Sequence, residues 1–182
     1  MNVLASKAQL RASFLRWSLF LVPLIVLLGY LSGKLGSADT AWFQDLTKPE
    51  IFPPPMWFGI VWGILWILTG FAVALIASAW GARGRGLAIV LFALHFPGVL
   101  AWTPVFFGMQ DMWGGLYVLG YVVASLVLVI LAFWRVRKRA AVLLLPYLAW
   151  VCFATVLNYQ FIVENPDGGT TTETSGAVKV TL

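Results

Sequence analysis

Acidic side chains are scarce in this chain, with seven Asp and Glu among 182 residues. None falls within a long apolar run: Asp39, Asp45, Glu50, Asp111, Glu164, Asp167 and Glu173 all lie between or after them. Transporters driven by protons or ions place ionisable residues at membrane depth, so a coupling device of that kind is missing. The single cysteine, Cys152, excludes an internal disulfide and any Cys-x-x-Cys redox or zinc motif. The single histidine, His95, cannot share a metal with other histidines. Without a buried carboxylate there is no acid–base pair and no Ser-His-Asp arrangement. The stretch GARGRG (81–86) lies between two apolar runs with no strand ahead of it, which excludes a phosphate-binding loop.

Apolar residues dominate instead: 61% are hydrophobic and 10% charged, and mean hydropathy is +0.90, more apolar surface than a water-soluble fold can hide. Five uncharged runs are long enough to cross about 30 Å of hydrocarbon: Trp17 to Gly33, Trp57 to Trp80, Leu87 to Gly108, Met112 to Trp134 and Ala140 to Val163. In lipid each must satisfy its own backbone and is therefore helical. The chain reads as an all-α integral membrane bundle of five spans. Residues 1–16 form an N-terminal cytoplasmic segment, 17–163 the five-span domain and 164–182 a polar, structureless tail. A cleaved signal peptide is the competing reading of the first run, with Gly36-Ser37-Ala38 as the site. The run is longer than the usual core of such a signal, which favours a retained span.

Basic residues are divided unequally. Lys7, Arg11 and Arg16 precede the first span, Arg83 and Arg85 separate the second from the third, and Arg135, Arg137, Lys138 and Arg139 separate the fourth from the fifth. Only Lys34, Lys48 and Lys179 lie on the other side. This asymmetry puts the N-terminus in the cytoplasm and the C-terminus outside. The net charge of +5 then reflects topology, and no basic stretch carries a nucleic-acid motif. No transit peptide is recognisable, which points to a bacterial membrane.

The first connection, 34–56, is long and holds Lys48-Pro49 and Pro53-Pro54-Pro55, which deny it a regular helix. Trp42, Phe43, Leu46, Ile51 and Phe52 give it apolar faces, so it reads as a lid; a mobile connector is the alternative. Of ten tryptophans, Trp17, Trp57, Trp80, Trp113 and Trp134 fall at span ends, where an interfacial belt puts them. Trp62, Trp66, Trp102 and Trp150 lie deeper. His95, Val99, Trp102, Thr103 and Phe106 share one helical face, as do Trp150, Ala154, Leu157, Asn158 and Phe161. With Trp62 and Trp66, four apart on the second span, these make three aromatic faces at similar depth beneath a lid, which suit a pocket for a flat apolar ligand, with Asn158, His95 and Thr103 to orient its polar edges. Interhelical packing, with Asn158 and His95 as polar glue, explains the same pattern. Gly59 and Gly63, extended by Gly70, Ala74 and Ser78, form a small-residue ridge that suits a homodimer or packing within one bundle.

WFQDLTKP (42–49), PPPMWFGIVW (53–62), AWTPVFFGM (101–109) and PYLAWVCFATVLNY (146–159) resemble the translocator protein family, also called TspO/MBR or tryptophan-rich sensory proteins. The resemblance implies a five-helix bundle in the membrane lipid, often dimeric, whose cavity binds tetrapyrroles such as protoporphyrin IX and haem, with no cofactor required. Some members bind cholesterol and synthetic ligands. Carried over by position, the cavity residues are Phe43, Pro53, Phe58, Trp62, Trp66, His95, Val99, Trp102, Thr103, Trp150, Ala154 and Leu157; Asn158 joins them from its helical face. The implied function is a tetrapyrrole-binding receptor or sensor. Light-dependent porphyrin degradation, with Trp62 and Trp150 as electron donors, and passive tetrapyrrole transport are the alternatives.

Departures from the family pattern bear on the ligand. His95 and Val99 stand where Gln and Asn are common, Met56 where a Trp is usual, and Trp66 where a Tyr is usual. His95 is either a partner for haem or simply satisfied by neighbouring helices. The sterol pattern needs a base soon after a Tyr, and Gln160 to Glu164 after Tyr159 contain none.

Overall fold

The computed structural model describes residues 6–168 and is all-α, with five helical spans long and apolar enough to cross a membrane among those residues. In chain order the elements are α1 (Lys7–Gly33), α2 (Ala41–Asp45), α3 (Pro55–Ala77), α4 (Arg85–Thr103) continued by a π turn (Pro104–Gly108), α5 (Met112–Val136), α6 (Lys138–Leu143) and α7 (Leu145–Glu164). It is a multi-pass membrane protein. Of the tryptophans assigned to the interfacial belt, Trp57, Trp80, Trp113 and Trp134 are exposed near their helix ends, whereas Trp17 is half-buried and lies inside α1, because that helix begins at Lys7.

Local chemistry explains where the elements begin. Ser6 and Gln9 form a capping box: Ser6 Oγ accepts the Gln9 N–H at 3.2 Å and Gln9 Oε1 accepts the Ser6 N–H at 2.8 Å. The helix therefore starts at Lys7, ten residues before the apolar run, and part of the expected N-terminal segment belongs to α1. Proline at the first position of α3 costs no hydrogen bond, because that N–H would lack a helical partner anyway. Asp111 caps α5 by accepting the Gly114 N–H at 2.8 Å. The fifth span is broken between α6 and α7, since Pro146 cannot donate to the carbonyl four residues back.

The first loop is not free of helix. Its prolines begin only at Pro49, leaving Thr40 free to cap α2 by accepting the Phe43 N–H at 3.3 Å. In the third span the N–H of Met109 reaches the carbonyl of Pro104 at 2.8 Å, five residues back, so the last turn is wider than an α turn.

Helix α1 is mostly exposed, as a lipid-facing element would be, and is keyed to its neighbours at close approaches. A Cβ on Gly70 of α3 would stand 2.7 Å from Val22 Cα. Ser32 donates to the Leu100 carbonyl of α4 at 2.6 Å. The small-residue ridge thus works at one end only. Gly70, Ala74 and Ser78 are buried, whereas a Cβ on Gly59 or Gly63 would meet nothing within 4 Å.

Two cores result. The larger joins α3 to α7 through Ile76, Val122, Leu126, Phe133, Leu144 and Val151. The smaller lies beneath α2 and is rich in aromatic rings, with Leu46, Met112, Leu157 and Ile162 among them.

Candidate functional site

The smaller core is a chamber of rings. From the loop come Phe43 and Phe52, from α3 Phe58, from α4 and its π turn Trp102, Phe106 and Phe107, and from α7 Phe161. Phe43 points down from α2, 4% exposed, with its centroid 5.0 Å from Phe107 and 5.7 Å from Phe161. Trp102 stacks on Phe106 at 5.3 Å and 23°. These offset and edge-on contacts are the arrangements aromatic quadrupoles favour. Between the rings remains a cavity of about 20 Å³, also lined by Ala154, Leu157 and Asn158.

One polar group is built into it. Asn158, 1% exposed, donates Nδ2–H to the Met112 carbonyl at 2.8 Å and accepts the Trp102 indole N–H at Oδ1 at 3.2 Å. The amide is thereby fixed in orientation, because its acceptor end faces a donor and its donor end an acceptor. Gly115 makes room for it, since a Cβ there would lie 2.9 Å from Asn158 Oδ1.

The plug is held from above by Lys48. Its ammonium donates to the carbonyls of Phe43, Gln44 and Leu46, closing the end of α2, and lies 4.4 Å from the centre of the Phe43 ring. Burial lowers the pKa of Lys48, and the nearby charge of Asp45 opposes that shift.

Trp62, Trp66 and Val99 belong to the larger core, and His95 is in ring contact with its Phe92 and Tyr147. Trp62 and Trp66 stack on each other at 4.9 Å, and both approach Tyr147. His95 is wholly buried, with Nδ1 2.8 Å from Ser125 Oγ and Nε2 3.0 Å from the Tyr147 hydroxyl. Ser125 directs its own proton to the Tyr121 carbonyl at 2.7 Å, which leaves Oγ to accept from Nδ1–H and Nε2 to accept from Tyr147. Both imidazole nitrogens are engaged, so His95 joins α4, α5 and α7 and has no lone pair directed at a ligand.

Trp150 stands at the boundary. Its ring meets Phe58 at 5.7 Å and Phe153 at 5.3 Å, and with Val61, Ile64, Leu65, Pro146, Ala149 and Phe153 it lines an open apolar groove of about 420 Å³ between α3 and α7. Pro53 and Thr103 are half-buried and line neither space.

Of the residues anticipated from sequence, the structure gathers Phe43, Phe58, Trp102, Ala154, Leu157 and Asn158 around the cavity. It adds Phe52, Phe106, Phe107 and Phe161. Helical spacing already put Phe106 and Phe161 on the right faces, and Phe52 among the apolar loop residues. Phe107 has no such signal: consecutive α-helical residues diverge by about 100°, and the π turn alters that register.

Size decides what this closed arrangement can admit. Pockets for drug-sized ligands run to about 300–1,000 Å³, and about 20 Å³ is room for about one water. The walls are flat rings with one oriented amide, and anything larger than a water enters only if the Phe43 and Phe52 rings withdraw with the loop. Among the described residues no group of three His, Cys, Asp or Glu could hold a metal ion.

Comparison with known proteins agrees with this architecture. The model of the TspO/MBR family matches residues 20–163. The tryptophan-rich protein TspO of Chlorobaculum tepidum is 36% identical over 147 residues, covering 80% of this chain and 93% of that protein. The tryptophan-rich sensory protein of Cereibacter sphaeroides is 33% identical over 145 residues, 79% of this chain and 89% of that one. The human translocator protein is 37% identical over 122 residues, 65% of this chain and 71% of its own length.

Proposed function

The chain belongs to the TspO/MBR family, and on that premise we propose that it is a membrane receptor for a flat tetrapyrrole, bound beneath the first loop. The observation that carries this reading is the ring chamber itself, in which Phe43, Phe58, Trp102 and Phe106 surround the buried amide of Asn158. Stacking area comes from the rings, and Asn158 with the Trp102 indole supplies one fixed donor–acceptor pair for a polar edge. The protein binds by ring faces rather than by iron, since His95 has both nitrogens engaged. A metal-free porphyrin therefore serves as well as haem.

Binding begins from the closed state and requires the loop to lift. In the reading adopted here the loop faces the outside, because the basic connections lie at the opposite end. Gly59 and Gly63, open on the surface of α3, leave a close-approach face for a second copy. The only acid in the spans is Glu164, the last residue of α7, and none lies at membrane depth, which favours a receptor over a proton-coupled carrier.

The test is titration of the detergent-solubilised protein with protoporphyrin IX, followed by tryptophan fluorescence. Saturable micromolar quenching, weakened in Trp102→Ala, is the expected result. Quenching that never saturates, or that the substitution leaves alone, overturns the proposal.

A further inference from the structure

The segment that follows the last span is tied to the loop over the ring chamber. Asn165, 9% exposed, lies one residue beyond α7. Its Oδ1 accepts the Thr47 N–H at 2.8 Å, and its Nδ2 donates to the Thr47 carbonyl at 3.0 Å. The second Nδ2 hydrogen goes to the Phe161 carbonyl at 2.9 Å, which holds the amide in register with its own helix. All three contacts use the two-sided chemistry of a primary amide. A second tie runs alongside, the Trp42 indole N–H donating to the Gly168 carbonyl at 3.0 Å.

These ties act where the chamber is closed. Thr47 lies four residues after Phe43, the ring that fills the chamber, and next to Lys48, whose ammonium caps α2. Phe161, which anchors Asn165, is itself in ring contact with Phe43 and Phe52 at 5.7 Å each. Lifting the loop therefore means separating Thr47 from Asn165 and Trp42 from Gly168 as the rings withdraw. The backbone groups of Thr47 have no strand or helix to pair with, so Asn165 fills the place of a missing main-chain partner.

We propose that Asn165 is the positioning residue that latches the loop shut, so that the segment after the fifth span sets the rate at which a ligand reaches the ring chamber. The latch rests on the ligand reading only for its second half, the consequence for access; the closure itself is a property of the chain alone. Aspartate cannot replace asparagine here, because a carboxylate accepts from Thr47 but has no hydrogen for the carbonyls of Thr47 and Phe161.

The full-length protein in lipid nanodiscs provides the test, with Asn165→Ala and Asn165→Asp compared against the parent by amide hydrogen exchange. The informative amides are those of Gln44 and Leu46, whose acceptors, the carbonyls of Thr40 and Trp42, neither substitution touches. Exchange there is expected to rise about tenfold in both variants, equivalent to ~1.4 kcal/mol, while amides within 65–76 of α3 keep the parent rate. Unchanged exchange at Gln44 and Leu46, or equal acceleration throughout α3, overturns the latch. Stopped-flow quenching by protoporphyrin IX then reads access, with association expected to rise by a similar factor. If exchange accelerates while no form of the protein shows saturable quenching, the latch stands and the tetrapyrrole reading falls.

Discussion

Trp102 donates its indole N–H to the side-chain oxygen of Asn158 across 3.2 Å, joining α4 to α7 inside an otherwise apolar chamber. The same asparagine donates to the Met112 carbonyl at the start of α5, so three spans meet at one amide. In hydrocarbon surroundings neither partner has water to fall back on.

Replacing that amide tests its weight. Asn158→Leu leaves the Trp102 indole N–H without its acceptor and removes the side-chain bond to the Met112 carbonyl, and a buried unsatisfied donor costs about 1–3 kcal/mol. A thermal midpoint in detergent lowered by several degrees is expected. An unchanged midpoint would mean that the chamber tolerates an orphaned indole N–H and that the pairing is incidental.

His95 provides a second case, in which structure and ligand binding separate. Tyr147→Phe removes the hydrogen-bond partner of Nε2 and should cost ~1 kcal/mol, near the scale measured for hydrogen bonds between membrane helices. His95→Gln should leave the visible spectrum of added haem as it is in the parent. A Soret shift lost on that substitution would show iron ligation and contradict the reading of an engaged imidazole.

Phe43 fills the chamber, so shortening it should open one. Phe43→Ala is expected to accelerate association of protoporphyrin IX several-fold, at a stability cost of about 3–5 kcal/mol for a buried ring. Trp102→Ala should instead accelerate dissociation, because it removes a wall and the partner of Asn158. Equal effects of both on the two rate constants would sink the distinction between plug and wall.

The glycines of α3 divide into two kinds. Gly70→Leu forces a side chain against Val22 Cα of α1, where even a Cβ would stand at 2.7 Å. Overpacking of this sort costs about 1–3 kcal/mol. Gly59→Leu meets open space, and its cost in the monomer should stay within about 0.5 kcal/mol. Comparison of thermal midpoints in detergent checks the pair, and equal losses would refute the packing assigned to α1.

Much of this arrangement is legible from residues alone. Apolar runs of 17 residues or more in a chain almost without internal charge leave few options but helical spans, and all five occur, close to their expected limits except at the start of α1. The face shared by Trp102 and Phe106, and that shared by Ala154, Leu157, Asn158 and Phe161, follow from helical spacing and do converge. Trp62 and Trp66 lie at a similar position along their helix but close on each other and on Tyr147, because periodicity fixes a residue's angle on its own helix and says nothing of what the neighbouring helix offers. Phe107 was hidden by the π turn, and Asn165 by its setting in a polar stretch, NPDG, that reads as a tail. Residues 165–168 of it are described, and the remainder of the expected tail, 169–182, lies outside the described residues.

What the sequence determined by itself is the number of spans and their helical state, since both follow from chain-local needs: apolar solvation and backbone hydrogen bonding. Only the tertiary structure decided that the aromatic faces sort into a ring chamber and a separate packed cluster, that His95 has both nitrogens engaged, and that Asn165 reaches Thr47. Those outcomes depend on how close one helix comes to another and on its rotation, and a contact between residues 118 positions apart leaves no trace in the local pattern of either.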